Sequence, residues 1–282
     1  MNTELYEETY QDDRHFSFGK NWQEFLKQIT PERIEIAKQS LTDFLGSEEA
    51  IRGKTFVDVG CGSGLFSLAA YLLGAKSVLS IDVDQYSIAC AKFLSAQQGN
   101  PKNWRIIQGS ALDKVFVEKL GKYDVVYSWG VLHHTGDMKR AIANVVELVA
   151  ADGVFYLAIY NDCSSLMHGT SAFWTKIKRI YNQSGSFVKN ILHSLYINYL
   201  FLGLIVTGRN PGRYIRSYRS MRGMSWRHDI LDWLGGYPYE YSTPESMINF
   251  LGKRDLACSK LWYRPTIACN EYLFCRSASR VK

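Results

Sequence analysis

TFVDVGCGSGLFSLAAYLL, residues 55–73, runs from a strand through a glycine turn into a helix without a break. Phe56, Val57 and Val59 are apolar and β-branched or aromatic, which suits a strand buried on both faces. Gly60, Gly62 and Gly64 follow at alternate positions. With no Cβ they let the backbone turn sharply and approach a ligand closely. Leu, Phe and Ala then recur at helical spacing to Leu73, so the turn opens a helix N-terminus, where free N–H groups favour an anion. A nucleotide-like or amino-acid-like ligand is expected at this turn.

Asp58 narrows that ligand. It stands just before the glycines, where its carboxylate would repel a pyrophosphate and hold an ammonium. S-adenosylmethionine offers a carboxylate for the helix N-terminus and an ammonium for Asp58. The run Asp58-Val-Gly60-Cys61-Gly62-Ser-Gly64 resembles the first motif of class I S-adenosylmethionine-dependent methyltransferases. A tight structural turn alone would also yield glycines; the preceding Asp and the strand–helix context favour the ligand reading. A dinucleotide dehydrogenase is disfavoured, because Asp58 would face the pyrophosphate and the third glycine comes one residue early for GxGxxG.

The 282 residues suffice for one large domain, or one domain with a substantial insertion. Six cysteines (61, 90, 163, 258, 269, 275) form no CxxC pair, so neither a zinc site nor a disulfide framework is indicated. The first 13 residues are acidic and lack the basic-then-apolar order of a secretory signal. Reduced thiols and a cytoplasmic location are expected.

Residues 1–50 read as an N-terminal arm and helix, serving as lid or anchor. Phe16, Phe18 and Trp22 either cap the cofactor pocket or anchor on the core, with anchoring favoured. Thr30 and Pro31 start a helix whose face is Ile34, Ala37, Leu41 and Phe44, and Gly46 stops it. Further strands are expected at 77–81, 104–107, 123–128 and 153–159, with helices at 85–95, 112–120 and 138–148. This alternation implies a doubly wound parallel sheet with ligands beyond the carboxyl ends of the strands. Residues 161–242 show no clean strand and read as a helical insertion, a substrate lid. Residues 243–282 return a helix and two closing strands, at 256–263 and 271–275. The resemblance implies a mostly parallel seven-stranded α/β sheet, its core at 51–160 and 243–282, with the insertion between strands 5 and 6.

Asp82 ends the second strand, 18 residues after Gly64, and can accept both ribose hydroxyls of a nucleoside. Asp84 competes for that role but suits an N-cap. Val83 would lie beside the adenine. The family usually has an acidic residue after the third strand; here Ser110 takes that place and can accept from the adenine amino group. The Ala111 N–H would meet a ring nitrogen, and Asp113 either assists or starts a helix. The resemblance also sets the end of the fourth strand, Ser128 and Trp129, between the cofactor's methionine part and the substrate. Trp129 either packs on the cofactor or fills the core. His133 and His134 are candidate general bases, or residues that orient the loop through the backbone. Some relatives hold a divalent metal here through carboxylates, but Gly130 and His133 stand in those places, so no metal is expected. Transfer from an activated sulfonium needs mainly an aligned, dry site.

Between Cys163 and His228 there is no Asp or Glu, against ten Lys or Arg, so the remainder of the chain carries −4 (6 minus 10). Residues 195–206 are apolar nearly all round. Three readings stand: a buried helix beside a solvated basic one, a site for an anionic substrate, or peripheral attachment to an anionic membrane with a lipid-like substrate. The apolar run is too short and interrupted for a membrane span. No nucleic-acid-binding module accompanies the charge, which disfavours such a partner. Tyr237, Tyr239 and Glu240, after a double glycine, are candidate substrate contacts or part of a packed aromatic loop. The expected function is methyl transfer from S-adenosylmethionine to an oxygen or nitrogen of a small molecule. Methylation of RNA or protein through the insertion, and a non-catalytic S-adenosylmethionine-binding regulator, are the alternatives.

Overall fold

In the computed structural model, which describes Trp22, Leu26 and residues 29–163, 170–222 and 226–276, the first complete helix is α1 (Pro31–Leu45). The Thr30 hydroxyl accepts from the Arg33 N–H, Ala37, Leu41 and Phe44 are buried, and Gly46 ends the helix at φ 103°. The alternation follows: β1 (Thr55–Val59), α2 (Leu65–Leu72), β2 (Ser77–Asp82), α3 (Gln85–Gln97), β3 (Trp104–Gln108), α4 (Lys114–Glu118), β4 (Tyr123–Trp129), α5 (Met138–Val146) and β5 (Val149–Tyr160). Among the described residues the insertion has four helices: α6 (Ser171–Gln183), α7 (Ser186–Val206), α8 (Pro211–Arg222) and α9 (Trp226–Gly235). The chain then closes with α10 (Pro244–Gly252), β6 (Leu256–Trp262) and β7 (Cys269–Arg276).

The seven strands form one sheet in the order β3-β2-β1-β4-β5-β7-β6. The first five are parallel, and β7 runs antiparallel to both β5 and β6. Because side chains alternate along a strand, β1 feeds both layers. Val57 and Val59 pack with Leu79, Val126 and Ile142 on one face, and Phe56 packs with Leu41, Leu68 and Val125 on the other. The strand order reverses between β1 and β4, which opens a crevice at their carboxyl ends.

The insertion leaves and rejoins the sheet at one place. The Ser242 N–H donates to the Tyr160 carbonyl at 3.0 Å, and the Asp162 N–H donates to the Ser242 carbonyl at 3.2 Å. A small core of its own holds it together: Tyr181, Ile230 and Leu234, packed with Leu192, Tyr196 and Trp233. One expectation changes here. The apolar segment is not a 12-residue run but part of the 21-residue α7, whose polar residues are spread too thinly to break the helix.

Candidate functional site

A cavity of about 1530 Å³ occupies the crevice and continues under the insertion. Of the residues singled out from the sequence, Asp58, Gly60, Cys61, Gly62, Asp82, Val83, Trp129, His134 and Tyr237 line it. The glycine turn is conformationally demanding: Gly60, Gly62 and Gly64 have φ of 79°, 51° and 80°, values that L side chains rarely adopt. A Cβ on Gly60 would collide with the Val131 side chain, and one on Gly62 would come within 2.9 Å of the Trp22 indole nitrogen. Gly64 has a different task. It lies outside the lining, and a Cβ there would come within 2.8 Å of the Ala91 Cα of α3, so it serves helix packing.

Asp58 is 2% exposed. One oxygen accepts from the Ser67 hydroxyl at 2.7 Å, Ser67 accepts from Ser80 at 2.7 Å, and Ser80 accepts from the Trp104 indole at 2.9 Å. This buried relay ties β3, β2 and α2 to one carboxylate. Burial and the nearby Asp82 charge push the Asp58 carboxyl up to about 7, against the lowering effect of Ser67. Asp82 accepts from the Gly62 N–H and the Asp84 N–H, both at 2.9 Å, and so fixes the glycine turn to the end of β2. Burial pushes its carboxyl up to about 6. Asp84 caps α3, accepting from Tyr86 at 2.7 Å.

Several residues expected to contact the cofactor, Ser110, Ala111 and Ser128, lie outside the cavity lining. Ser110 is buried outside the cavity lining, its hydroxyl accepting from the Leu112 N–H; the Ala111 carbonyl accepts from Asn144, and Asp113 caps α4. Gln108, Gly109 and Phe116 occupy that end of the cavity instead. The Ser128 hydroxyl donates to the Val59 carbonyl at 2.9 Å and bridges β4 to β1. His133 is fully buried, and its Nδ1 accepts from the Tyr160 N–H at 3.2 Å. Burial and the neighbouring His134 and Lys178 charges hold it well below the usual imidazole range, so it is neutral and out of reach of a ligand. His134 keeps the better position: it lines the cavity, and its Nδ1 donates to the Pro238 carbonyl at 2.6 Å. That bond assigns the proton to Nδ1.

Among the substrate candidates, Tyr237 lines the cavity and accepts from Arg179 at 3.1 Å. Tyr239 does not. It is buried between Tyr160 and Trp233, at ring separations of 4.9 and 5.7 Å. Glu240 is a structural cap, its carboxylate accepting from the Met138 N–H at 2.9 Å at the start of α5. Phe16 and Phe18 lie outside the described residues, while Trp22 both lines the cavity and packs on the core. Lining residues not singled out include Phe116, Tyr160 and Trp233. Tyr160 ends β5, so the carboxyl-end rule could have found it. Behind Trp233 and Tyr239 sits Lys178, fully buried, its ammonium donating to the Trp233 carbonyl and lying 3.7 Å from the Trp233 ring centroid. Burial lowers its pKa well below the ordinary lysine value.

Residues 57–155 match the family described as "Methyltransferase domain". A ubiquinone biosynthesis O-methyltransferase of Chromobacterium violaceum is 29% identical over 136 residues, covering 48% of this chain and 53% of that protein. The chain thus spans about half the length of the curated relatives it matches. Magnesium protoporphyrin IX methyltransferase from Synechocystis PCC 6803, solved with bound SAH, shares the fold at a TM-score of 0.53 and 14% identity, covering 92% of this chain and 94% of that one. PKMT2 from Rickettsia typhi in complex with AdoHcy does so at 0.56 and 13% identity, covering 88% and 53%. The fold is that of these solved structures, and residues 57–155 are similar to a methyltransferase domain.

Proposed function

We propose that the chain transfers the methyl group of S-adenosylmethionine to a hydroxyl oxygen of a small molecule. One continuous cavity of about 1530 Å³ carries the reading. Asp58, Asp82 and the glycine turn line one part of it; His134, Tyr160, Trp233 and Tyr237 line another. Sites for a single drug-sized ligand measure roughly 300–1,000 Å³, so this one has room for donor and acceptor together. That the curated relatives are O-methyltransferases supports oxygen over nitrogen.

The residues present fit S-adenosylmethionine. The Asp58 carboxylate lines the cavity and is held in place by Ser67, which supports an ammonium there. The N-cap of α2 is Gly64, which has no side chain to cap the first turn, and this supports a ligand carboxylate near that end. Asp82 holds the turn and still has lone pairs for ribose hydroxyls. When bound, S-adenosylmethionine supplies a methyl group already activated by its sulfonium. His134 Nε2 takes the proton that the acceptor hydroxyl loses, and the Pro238 carbonyl keeps the ring in the tautomer this requires. Tyr160, Trp233 and Tyr237 exclude water and orient the acceptor.

A metabolite extract incubated with methyl-labelled S-adenosylmethionine tests this. The expected result is label in a low-mass methyl ether, with stoichiometric S-adenosylhomocysteine. Label on RNA or protein would move the assignment to a macromolecular acceptor reached through the basic insertion. Binding without any turnover would make the chain a regulator instead.

A further inference from the structure

The insertion contains a helix that is apolar on two sides. The inner side of α7, with Leu192, Tyr196, Ile197 and Leu200, packs against Tyr181, Ile230, Leu234 and Trp233. Successive helical residues turn by about 100°, so Phe187, Ile191, Leu195, Leu202, Ile205 and Val206 fall in a second stripe, about a third of the circumference wide and interrupted by the exposed Asn198. All six are exposed, Phe187 by 78%, Leu202 by 62% and Val206 by 73%, and no residue of α7 is buried. Surface helices ordinarily turn polar residues to water, and soluble chains seldom show such an apolar stripe without a partner. Leu202 and Val206 also line the large cavity, so the cavity opens beside the stripe.

Charge identifies what covers it. The segment from Cys163 to His228 holds ten basic residues and no acidic one. Arg209, Arg213 and Arg216 follow the C-terminal end of α7, are exposed, and make no ion pair among the described residues. A nucleic acid would satisfy the arginines and leave Phe187 to Val206 in water. A second copy of the chain would cover the stripe but bring its own positive field. An anionic lipid surface takes both, accepting the apolar side chains at the acyl boundary and pairing headgroup phosphates with the arginines. By length and composition α7 could cross a bilayer. Its inner side, however, belongs to the folded insertion and its Tyr199, Leu200 and Leu204 to the cavity wall, so it lies along the surface rather than through it.

We propose that the outward stripe of α7, with the exposed arginines that follow it in the chain, seats the protein on an anionic lipid surface. Docking does not depend on methyl transfer, so its failure and that of the transferase reading are read separately. Co-sedimentation of the full chain with phosphatidylcholine vesicles, with and without phosphatidylglycerol, tests it. Binding is expected to be about tenfold or more tighter with phosphatidylglycerol and to weaken as salt rises. Phe187→Ser/Leu195→Ser should lose it by a similar factor, and Arg213→Glu/Arg216→Glu should abolish the preference for the anionic lipid. Both pairs lie away from the cavity, and unchanged S-adenosylmethionine affinity in calorimetry certifies that the variants fold. If the parent stays in the supernatant with both vesicle types, the proposal is wrong. It is equally overturned if light scattering gives a dimer that Phe187→Ser/Leu195→Ser dissociates, since a second copy is then the occupant, or if RNA binds in preference to vesicles.

Discussion

Asp58 lines the cavity wall with its carboxylate held by the Ser67 hydroxyl, so an incoming cation meets a carboxylate already fixed in place. Asp82 fixes the turn by accepting from Gly62 and Asp84. Asp58→Ala and Asp82→Ala are each expected to weaken S-adenosylmethionine binding more than tenfold in calorimetry; full affinity in both would remove the cofactor assignment. The two histidines should separate cleanly. His134→Ala is expected to lower kcat by about 10²–10⁴-fold, the usual range for a general base, and to remove the acidic limb of the pH–rate profile. His133→Ala should leave that limb in place and cost about 2–3 kcal/mol of stability, because it empties a fully buried site stacked on Tyr160. The reverse pattern would exchange their roles.

At the scale of elements, the glycine turn shows what a sequence can and cannot disclose. Three alternate glycines announced a turn, and all three adopt positive φ. Which of them faces a ligand was not legible, since Gly64 answers to Ala91, a residue on another helix. Gly64→Ala is therefore expected to lose about 2 kcal/mol or more in urea unfolding, combining left-handed strain of about 1–2 kcal/mol with the approach to the Ala91 backbone. A loss confined to ligand affinity would contradict the packing role. Strands and helices of the sheet were legible because burial on both faces and the caps at Thr30, Asp84 and Thr243 leave local signatures. Polar side chains were not. Ser110, Ser128 and Glu240 look like ligand contacts in sequence, yet each spends its oxygen on a backbone group, for Glu240 one 102 residues away. For Ser128 and Glu240 the sequence offers no sign of partners so remote.

At the scale of the whole molecule, the apo protein holds two carboxyls in surroundings that suit a cation better than water. Both have folded pKa values, about 7 for Asp58 and about 6 for Asp82, above the ordinary 3.8. The folded state therefore keeps protons that the unfolded chain releases as pH rises from about 4 to 7. The stability they contribute is complete at low pH and lost by about pH 7. His133 acts in the opposite sense, since it stays neutral when folded and the unfolded chain protonates it below about 6.5. The parent's own pH dependence thus mixes the two, and a difference isolates Asp58. Asp58→Asn retains an acceptor for Ser67 and cannot ionise. Its melting temperature is expected to exceed that of the apo parent at pH 8, and the gap should close toward pH 5, where the parent's Asp58 carries its proton. Saturating S-adenosylmethionine should reverse the order at pH 8, because its ammonium stabilises the ionised parent and finds no charge in the variant. An apo gap that does not change with pH would mean that Asp58 is not the titrating group. The combination expected, a variant more stable empty and less stable loaded, is what distinguishes a carboxylate kept for its ligand from one kept for the fold.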